Sequence, residues 1–444
     1  METNYIVQAL EKLRWQSESQ RLEKFQKNWM QYYGQADKPM KVKTGKPDDN
    51  VRLNFARMIV DKGVSFLFGK EVKFELTEGT KTPQEQWLDD CWAANRKMTT
   101  LQKIALNGAV CGQTFVRLYT EPGKQFPRLI VLDPETVTVS LAADDIDTVY
   151  GFKIQYPSID PDTEKPVTVR QVIERDGQYW NIRDERGQIG SGYWETISND
   201  RWLYPFAPVV YGQNLPAPNE FWGISDIEDD LIEVINANNF IMSNLVKIVR
   251  YHGHPVTWGT GFKPEQMDVD VDKTILLPIG SELQYLEMMG DMDKILSIYR
   301  ELKQFTHELS RIPEVSTGKV ESVGQLSGVA LEILYQPLLE KTETKRLTYG
   351  DMLIEINRRL LAIAGYGDEL YTELRWQELL PKDNLMQAQS ALTLKQLGVS
   401  GDTLMQEAGY NPDVERKKRA LEPDNNLGSA FLKAFDAGGE TGAE

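Results

Sequence analysis

Apolar positions recur every three or four residues through most of the chain and alternate in one central stretch, which divides it into helical and β segments. Residues 5–33 carry Ile6, Leu10, Leu13, Leu22, Phe25, Trp29 and Tyr32 among many charges, a loose amphipathic helix. A polar stretch from Lys38 to Asn50, with proline and glycine, reads as a loop. From Leu53 to Phe68 the series Phe55, Ile59, Val60, Val64 and Leu67 predicts a buried helix that stops near Gly69. Helical pieces at Gln84–Trp92 and Leu101–Ala109 follow, and Gly112 marks the change to strand. Between about Thr114 and Tyr211 the signals are β: Phe115–Tyr119, Leu129–Leu132, Val149–Tyr156, Val167–Arg175 and Tyr179–Arg183, the last two joined by an Asp176-Gly177 turn. This part of the chain is α+β.

The second half is more helical. Residues 225–250 predict a strong helix, with Ser225 and Glu228 as a capping box. Asp226, Glu228, Asp229, Asp230 and Glu233 crowd its start and Lys247 and Arg250 its end, which suits the macrodipole at both ends. Residues 251–290 lose the helical period and show strand-like Ile275–Leu277 and Leu283–Leu286. A second helix is expected over 291–312, through Ile295, Ile298, Leu302, Phe305, Leu309 and Ile312, and ends at Pro313. The two helices with the β piece at their tip form an antiparallel hairpin. A polar loop, 313–325, leads into a helical pattern from Leu326 to Ala364 that contains Pro337. A proline there removes a backbone donor and crowds the preceding turn, so a kink is expected at about residues 333–337. A strand-like piece around Leu374–Leu379, helical segments Asn384–Leu397 and Gly401–Gly409, and a Gly-rich tail from Glu422 complete the chain.

The 444 residues carry 50 Lys+Arg against 66 Asp+Glu, a formal charge of −16, which argues against a protein that wraps duplex DNA with a basic face. No apolar run is long enough to cross a membrane, and Met1–Trp15 has no signal-peptide core. Cys91 and Cys111 make no disulfide framework, and His252, His254 and His307 leave little for zinc or histidine catalysis. Gly63…Gly69-Lys70 fails the phosphate-loop spacing. Asp268, Asp270 and Asp272 open like a calcium loop, but Lys273 stands where glycine is needed and Ile279 where the bidentate Glu is needed. The wet face of an edge strand explains them better. His252-Gly253-His254 reads as a turn before Pro255, Asp144, Asp145 and Asp147 as a polar turn, and Arg416–Arg419 as a solvated helix face. The acids from Asp226 to Glu233 read as dipole complement and a solvated face. Nothing pairs a nucleophile with a base, and the sequence implies no cofactor and no metal.

Taken in order, these features resemble the portal, or head-to-tail connector, family of tailed bacteriophages, of the siphovirus type. The resemblance runs through roughly 50–410. It is carried by Asn54-Phe55-Ala56-Arg57-Met58-Ile59-Val60-Asp61 with Phe68-Gly69-Lys70-Glu71-Val72, and by Gly108-Ala109-Val110-Cys111-Gly112-Gln113-Thr114-Phe115. Trp222-Gly223-Ile224-Ser225-Asp226-Ile227-Glu228 is its best segment, with Ser327-Gly328-Val329-Ala330-Leu331 before the long helix.

The resemblance implies a wing over 1–224, stem helices at 225–250 and 291–312, a clip at 251–290, a tunnel loop at 313–325, a kinked wing helix at 326–369 and a crown with a flexible tail at 370–444. It implies a homomeric ring, typically of twelve copies, at one capsid vertex of the virion, assembled in the host cytoplasm. Double-stranded DNA would pass through the channel without sequence reading. The implied partners are the terminase large subunit, the major capsid and scaffolding proteins, and the head-completion or neck proteins. The tunnel-loop candidates are Ser316, Thr317, Gly318, Lys319, Val320, Glu321 and Ser322, with Lys319 for passing phosphates. For docking by the clip they are Trp258, Phe262, Lys263, Asp268, Asp270 and Asp272. The expected protein is structural and not an enzyme. Two alternatives differ in class: a metal-dependent DNA phosphodiesterase built on the Asp226–Glu233 acids, and a monomeric adaptor. The first predicts divalent-metal-dependent nicking that Asp229→Asn abolishes.

Overall fold

The computed structural model describes residues 2–76, 81–142, 145–160, 164–188, 192–253, 257–261, 279–285, 292–317, 328–380, 393–407 and 415–416. It divides into two compact units, one of residues 1–76 with 82–379 and one of residues 77–81 with 380–444. The larger unit opens with helix α1 (Glu2–Tyr32) and, after a loop, α2 (Phe55–Phe68), whose first turn is capped by Asn54 accepting from the Arg57 amide. Strand β1 (Lys73–Glu75), α3 (Pro83–Ala94) and α4 (Lys97–Cys111) follow. At α3, Thr82 and Glu85 form a reciprocal capping box ahead of a first-turn proline.

Gly112 ends α4 in the left-handed region at φ 80°, which glycine adopts without a Cβ penalty. The chain then enters β2 (Gln113–Tyr119). β3 (Arg128–Leu132) and β9 (Val209–Gln213) flank β2 in a three-stranded antiparallel sheet. A second sheet is a five-stranded meander of β4 (Val137–Leu141), β5 (Val149–Ile159), β6 (Pro166–Asp176), β7 (Tyr179–Gln188) and β8 (Trp194–Trp202). Its β6–β7 hairpin turns at Gly177, φ 62°, as the Asp-Gly signal predicts. Strands β4, β8 and β9 were outside the five predicted segments, although all lie in or beside the stretch read as β.

Helix α5 (Asp229–Gly253) and helix α6 (Met292–Ser310) pack on each other, with the short antiparallel pair β10 (Thr257–Thr260) and β11 (Glu282–Tyr285) between them in sequence. α5 starts four residues later than predicted, and the strand expected at Ile275–Leu277 lies outside the described residues. After a 3-10 turn at Glu314–Thr317, helix α7 (Gly328–Ile363) runs 36 residues with Pro337 inside it. The strand expected near 374–379 is β12 (Glu373–Arg375), which pairs antiparallel with β1. In the smaller unit, residues 393–396 are helical and α8 spans Gly401–Glu407.

Three apolar clusters form the core of the larger unit. One joins α2, α3, α4 and α7 through Phe68, Trp92, Leu101, Ile104, Leu353 and Ile356. The buried Trp92 indole N–H is satisfied, donating to Asn357 Oδ1 at 2.7 Å. The second gathers Phe25, Ile59, Val60, Ile227, Leu231, Ile312 and Leu338 around the roots of α5 and α6. The third fills the space between the sheets with Phe115, Phe152, Ile173, Trp180 and Trp202.

Candidate functional site

The roots of α5, α6 and α7 meet at one buried carboxylate. The segment from Trp222 to Glu228 is placed by backbone contact: Gly112 and Gly223 face each other so closely that a Cβ on Gly112 would lie 2.2 Å from the Gly223 carbonyl oxygen. The Asn214 amide donates to the Gly112 carbonyl at 2.8 Å, the Ile224 amide to Leu215 at 2.9 Å, and the Asp226 amide to Ala109 at 2.8 Å. Ser225 Oγ lies 2.9 Å from the carbonyls of both Ala109 and Val110, the last turn of α4. The predicted capping box forms only by half. The Ser225 amide donates to Glu228 Oε1 at 2.9 Å, while Ser225 Oγ accepts from Ile227 rather than from Glu228, so this turn precedes the helix instead of opening it.

Asp226 was expected on a solvated face and is instead fully buried, with side-chain exposure of 0%. Lys345 donates to its Oδ2 at 2.5 Å, Lys341 lies 3.2 Å from Oδ1, and Asn214 donates to Oδ1 at 3.1 Å. Tyr349 completes the set by donating to Asn214 Oδ1 at 3.0 Å. Gly63 of α2 leaves the room: a Cβ there would sit 3.0 Å from Asp226 Oδ2. Lys341 also donates to the Ser310 carbonyl, the last residue of α6, at 3.1 Å. One carboxylate thus ties the entry of α5 to α7 and, through Lys341, to the exit of α6. Two further bonds set this exit, Asn238 Nδ2 to Thr306 Oγ1 at 3.0 Å and His307 Nδ1 with the Ile312 carbonyl at 2.9 Å.

The electrostatics follow from two cations sharing one anion. Burial alone would raise the Asp226 pKa, but Lys341, Lys345 and the hydrogen bonds from Lys345 and Asn214 outweigh it and hold the group down at about 2. Lys345 is pushed down to about 8, chiefly by burial and further by Lys341, against the attraction of Asp226. The Tyr349 hydroxyl is pushed up by burial and by the Asp226 charge.

The neighbouring acids are also engaged. Glu228 pairs with Lys24 at 2.6 Å and Asp229 with Lys27 at 2.7 Å, two bridges from α1 to the root of α5. Asp226, Glu228 and Asp229 therefore turn their carboxylates to lysines, an arrangement that opposes the metal-dependent phosphodiesterase. Among the described residues no three His, Cys, Asp or Glu side chains gather to hold a metal ion. Both thiols are buried, and burial pushes Cys91 up to about 12 and Cys111 well above the usual thiol range.

The chain from residue 12 to 426 matches the model of the family described as phage portal protein, SPP1 Gp6-like. The chain belongs to that family. Its function is accordingly that of a portal, the connector of a phage-type capsid, and the family it belongs to is structural. No curated protein sequence matches the chain. Among solved structures it is similar to a chain of the neck of an empty gene transfer agent particle computed with C6 symmetry. The identity is 12%, with a TM-score of 0.49, over 81% of this chain and 91% of that one. It is also similar to a chain of the neck of the native particle computed with C12 symmetry, at 12% identity and TM-score 0.46, over 81% and 90% of the two chains. A chain of the virion of the native gene transfer agent particle gives 12% identity and TM-score 0.44, over 83% and 95%.

Of the residues predicted for portal work, Ser316 and Thr317 lie in the 3-10 turn after α6, and Gly318, Lys319, Val320, Glu321 and Ser322 lie outside the described residues. Trp258 stands half-exposed on β10, opposite Gln284, while Phe262, Lys263, Asp268, Asp270 and Asp272 lie outside them. His252 is in the last turn of α5 and His254 is not described. Pro337 is on the exposed side of a continuous helix. Sequence reasoning missed the Asp226 site. Its available signal was Lys341 and Lys345, which fall on the same helical stripe as Leu338, Tyr349, Met352 and Ile356, all buried, and so stand where apolar residues are expected.

Proposed function

We propose that copies of this chain, twelve in the simplest case, close into a ring at one capsid vertex and that double-stranded DNA enters and leaves through its centre. In this reading 1–224 is the wing, α5 and α6 the stem, 251–290 the clip and 313–325 a loop lining the channel. α7 is the wing helix, kinked at Pro337, and the residues from 370 onward are the crown. The clip meets the terminase large subunit first and the neck proteins later, while the wing meets capsid and scaffolding proteins. Assembly takes place in the host cytoplasm, and the ring has no catalytic activity of its own.

The observation that supports this reading is the Asp226 site. A loop that touches moving DNA needs rigid anchors at both ends. Ser310, three residues before the expected loop, and Lys341, on the helix that follows it, are joined by a direct hydrogen bond, and Lys341 also pairs with Asp226. The charge of −16 per copy fits a conduit that repels phosphates more than it grips them. Sliding DNA presents its backbone and not its base edges, so a few flexible cations suffice.

Deleting Ser316–Ser322 tests the loop. The deletion is expected to leave ring assembly intact and to lower the DNA packaged or retained per particle. Packaging and retention equal to wild type would remove the loop from the mechanism.

A further inference from the structure

The link between α1 and α2, residues 33–54, contains neither helix nor strand. A connection of that length without secondary structure is uncommon in a compact body and is either functional or unstructured. This one is fastened by its own side chains. At its neck the Met40 amide donates to Asn50 Oδ1 at 2.7 Å, Asn50 Nδ2 donates back to the Met40 carbonyl at 3.0 Å, and Lys38 pairs with Asp48 at 2.6 Å. Its returning arm is stapled to α5. The Leu53 amide donates to Asn239 Oδ1 at 2.8 Å, the Val51 amide to Ser243 Oγ at 2.9 Å, and Arg250 to Asp49 at 2.5 Å. Arg250 lies in the last turn of α5, so the neck is held at the end of that helix that leads to β10.

What the neck holds out is basic. Residues 41–48 are all exposed, and Lys41, Lys43 and Lys46 have no carboxylate partner among the described residues. The acids of the segment are Asp37, Asp48 and Asp49. Lys38 takes the second and Arg250 the third, which leaves Asp37 against the three lysines and Arg52, whose guanidinium donates to the Gly34 carbonyl. On a chain of charge −16 this is a local reversal of sign.

The side chains at the tip select the ligand. Residues 41–46 include no aromatic ring and no arginine, and Val42 is their one apolar side chain. A protein partner is held chiefly by buried aromatic or arginine anchors, and lysine is depleted from protein interfaces. Lysine ammoniums on a polar loop suit the phosphates of a nucleic-acid backbone instead, which they meet as point charges without reading sequence.

We propose that Lys41, Lys43 and Lys46 form a contact for the phosphate backbone of duplex DNA at the β10 end of α5, separate from the loop after α6. The inference takes its ligand from the DNA reading above and adds a site to it. Each contact is exposed and screened by salt, so the loop holds a duplex loosely and lets it slide. The fixed neck keeps the three lysines together, which lowers the ordering cost of each encounter.

Fluorescence anisotropy of a labelled duplex of arbitrary sequence, titrated with the purified full-length protein at several salt concentrations, tests this. Lys41→Ser/Lys43→Ser/Lys46→Ser keeps the Lys38–Asp48 pair and the Asn50 bonds, so the unfolding midpoint is expected to stay. Binding at low salt is expected to weaken roughly tenfold or more. The slope of log K against log salt should become shallower by about 0.9 for each lysine that meets a phosphate. Lys103→Ser/Lys124→Ser/Lys165→Ser removes the same charge from exposed positions elsewhere and is expected to bind as wild type does. Equal losses in the two triple variants would overturn the inference, as would a loop variant with wild-type affinity and slope. A loop variant that binds DNA normally but lowers head assembly would assign the lysines to an acidic protein instead, and so overturn it too. Rings that bind no duplex would overturn the inference and leave the ring reading standing. A wild-type chain that forms no rings would overturn that reading, while the two triple variants still decide the role of the lysines.

Discussion

Asp226 accepts from Lys345 and pairs with Lys341, which in turn donates to the Ser310 carbonyl at the end of α6. The carboxylate faces two lysines in a buried site, so its removal leaves two buried cations without a counter-charge. Asp226→Ala is expected to lower the unfolding free energy by about 3–5 kcal/mol, as measured in denaturant. Lys345→Met removes the surplus cation while Lys341 still holds the carboxylate, so its cost should be well below that. Equal losses would mean that the three groups do not form the pair-plus-one described above. The pH dependence carries the same signature. The folded Asp226 pKa of about 2 lies below the ordinary 3.8, so its contribution is full above the ordinary value and is lost as pH falls from there toward 2. The stability gap between wild type and Asp226→Asn should therefore be full at about pH 6 and smaller at about pH 3. For Lys345 the sign is opposite in pH: a folded value of about 8 against 10.5 makes stability rise between those values, a rise that Lys345→Met abolishes. The acids at the head of a helix have an ordinary explanation, and the two lysines that give Asp226 another stand more than a hundred residues later. This distance hid the site from the sequence.

Elements were legible where periodicity was strong and obscure where tertiary contact defined them. α2, with Phe55, Ile59, Val60, Val64 and Leu67 on one side, sits within two residues of its expected bounds. β8 shows why some strands escaped. It lies at the edge of the five-stranded sheet with most side chains exposed, so no alternation of apolar residues marks it. The start of α5 was displaced because Ser225 and Asp226, good N-cap residues by type, are used to bind α4 and α7. α7 raises a question of cost. Pro337 withdraws a backbone donor within the helix, and its exposed position leaves the freed carbonyl of Ile333, itself 64% exposed, on the outer side. Pro337→Ala is expected to raise the helix stability by up to about 3 kcal/mol, read as a higher unfolding midpoint. An unchanged or lower midpoint would mean that contacts outside the helix offset the missing hydrogen bond.

At the scale of the whole molecule, family membership carries the account, and the mixed helix-and-sheet fold is consistent with it. The order of helices and strands was readable because each leaves its own periodicity: mixed body, helix, short β pair, returning helix and long helix, while most of the expected loop lies outside the described residues. Residue-level work in the loop and clip was not, since one sequence does not say how a neighbouring copy meets it. The net charge of −16, at first an argument against nucleic acid, fits the proposed passage, in which DNA would slide without being held. All of this depends on closure. The Asp226 site ties the entry of α5 to α7 and to the exit of α6, but a single chain encloses no channel. The most direct test is electron microscopy of the purified protein at micromolar concentration, with native mass measured on the same sample. The account predicts closed rings with a central hole and a mass that is a whole multiple of 50.7 kDa. A population that stays monomeric across a range of salt and protein concentration would contradict it.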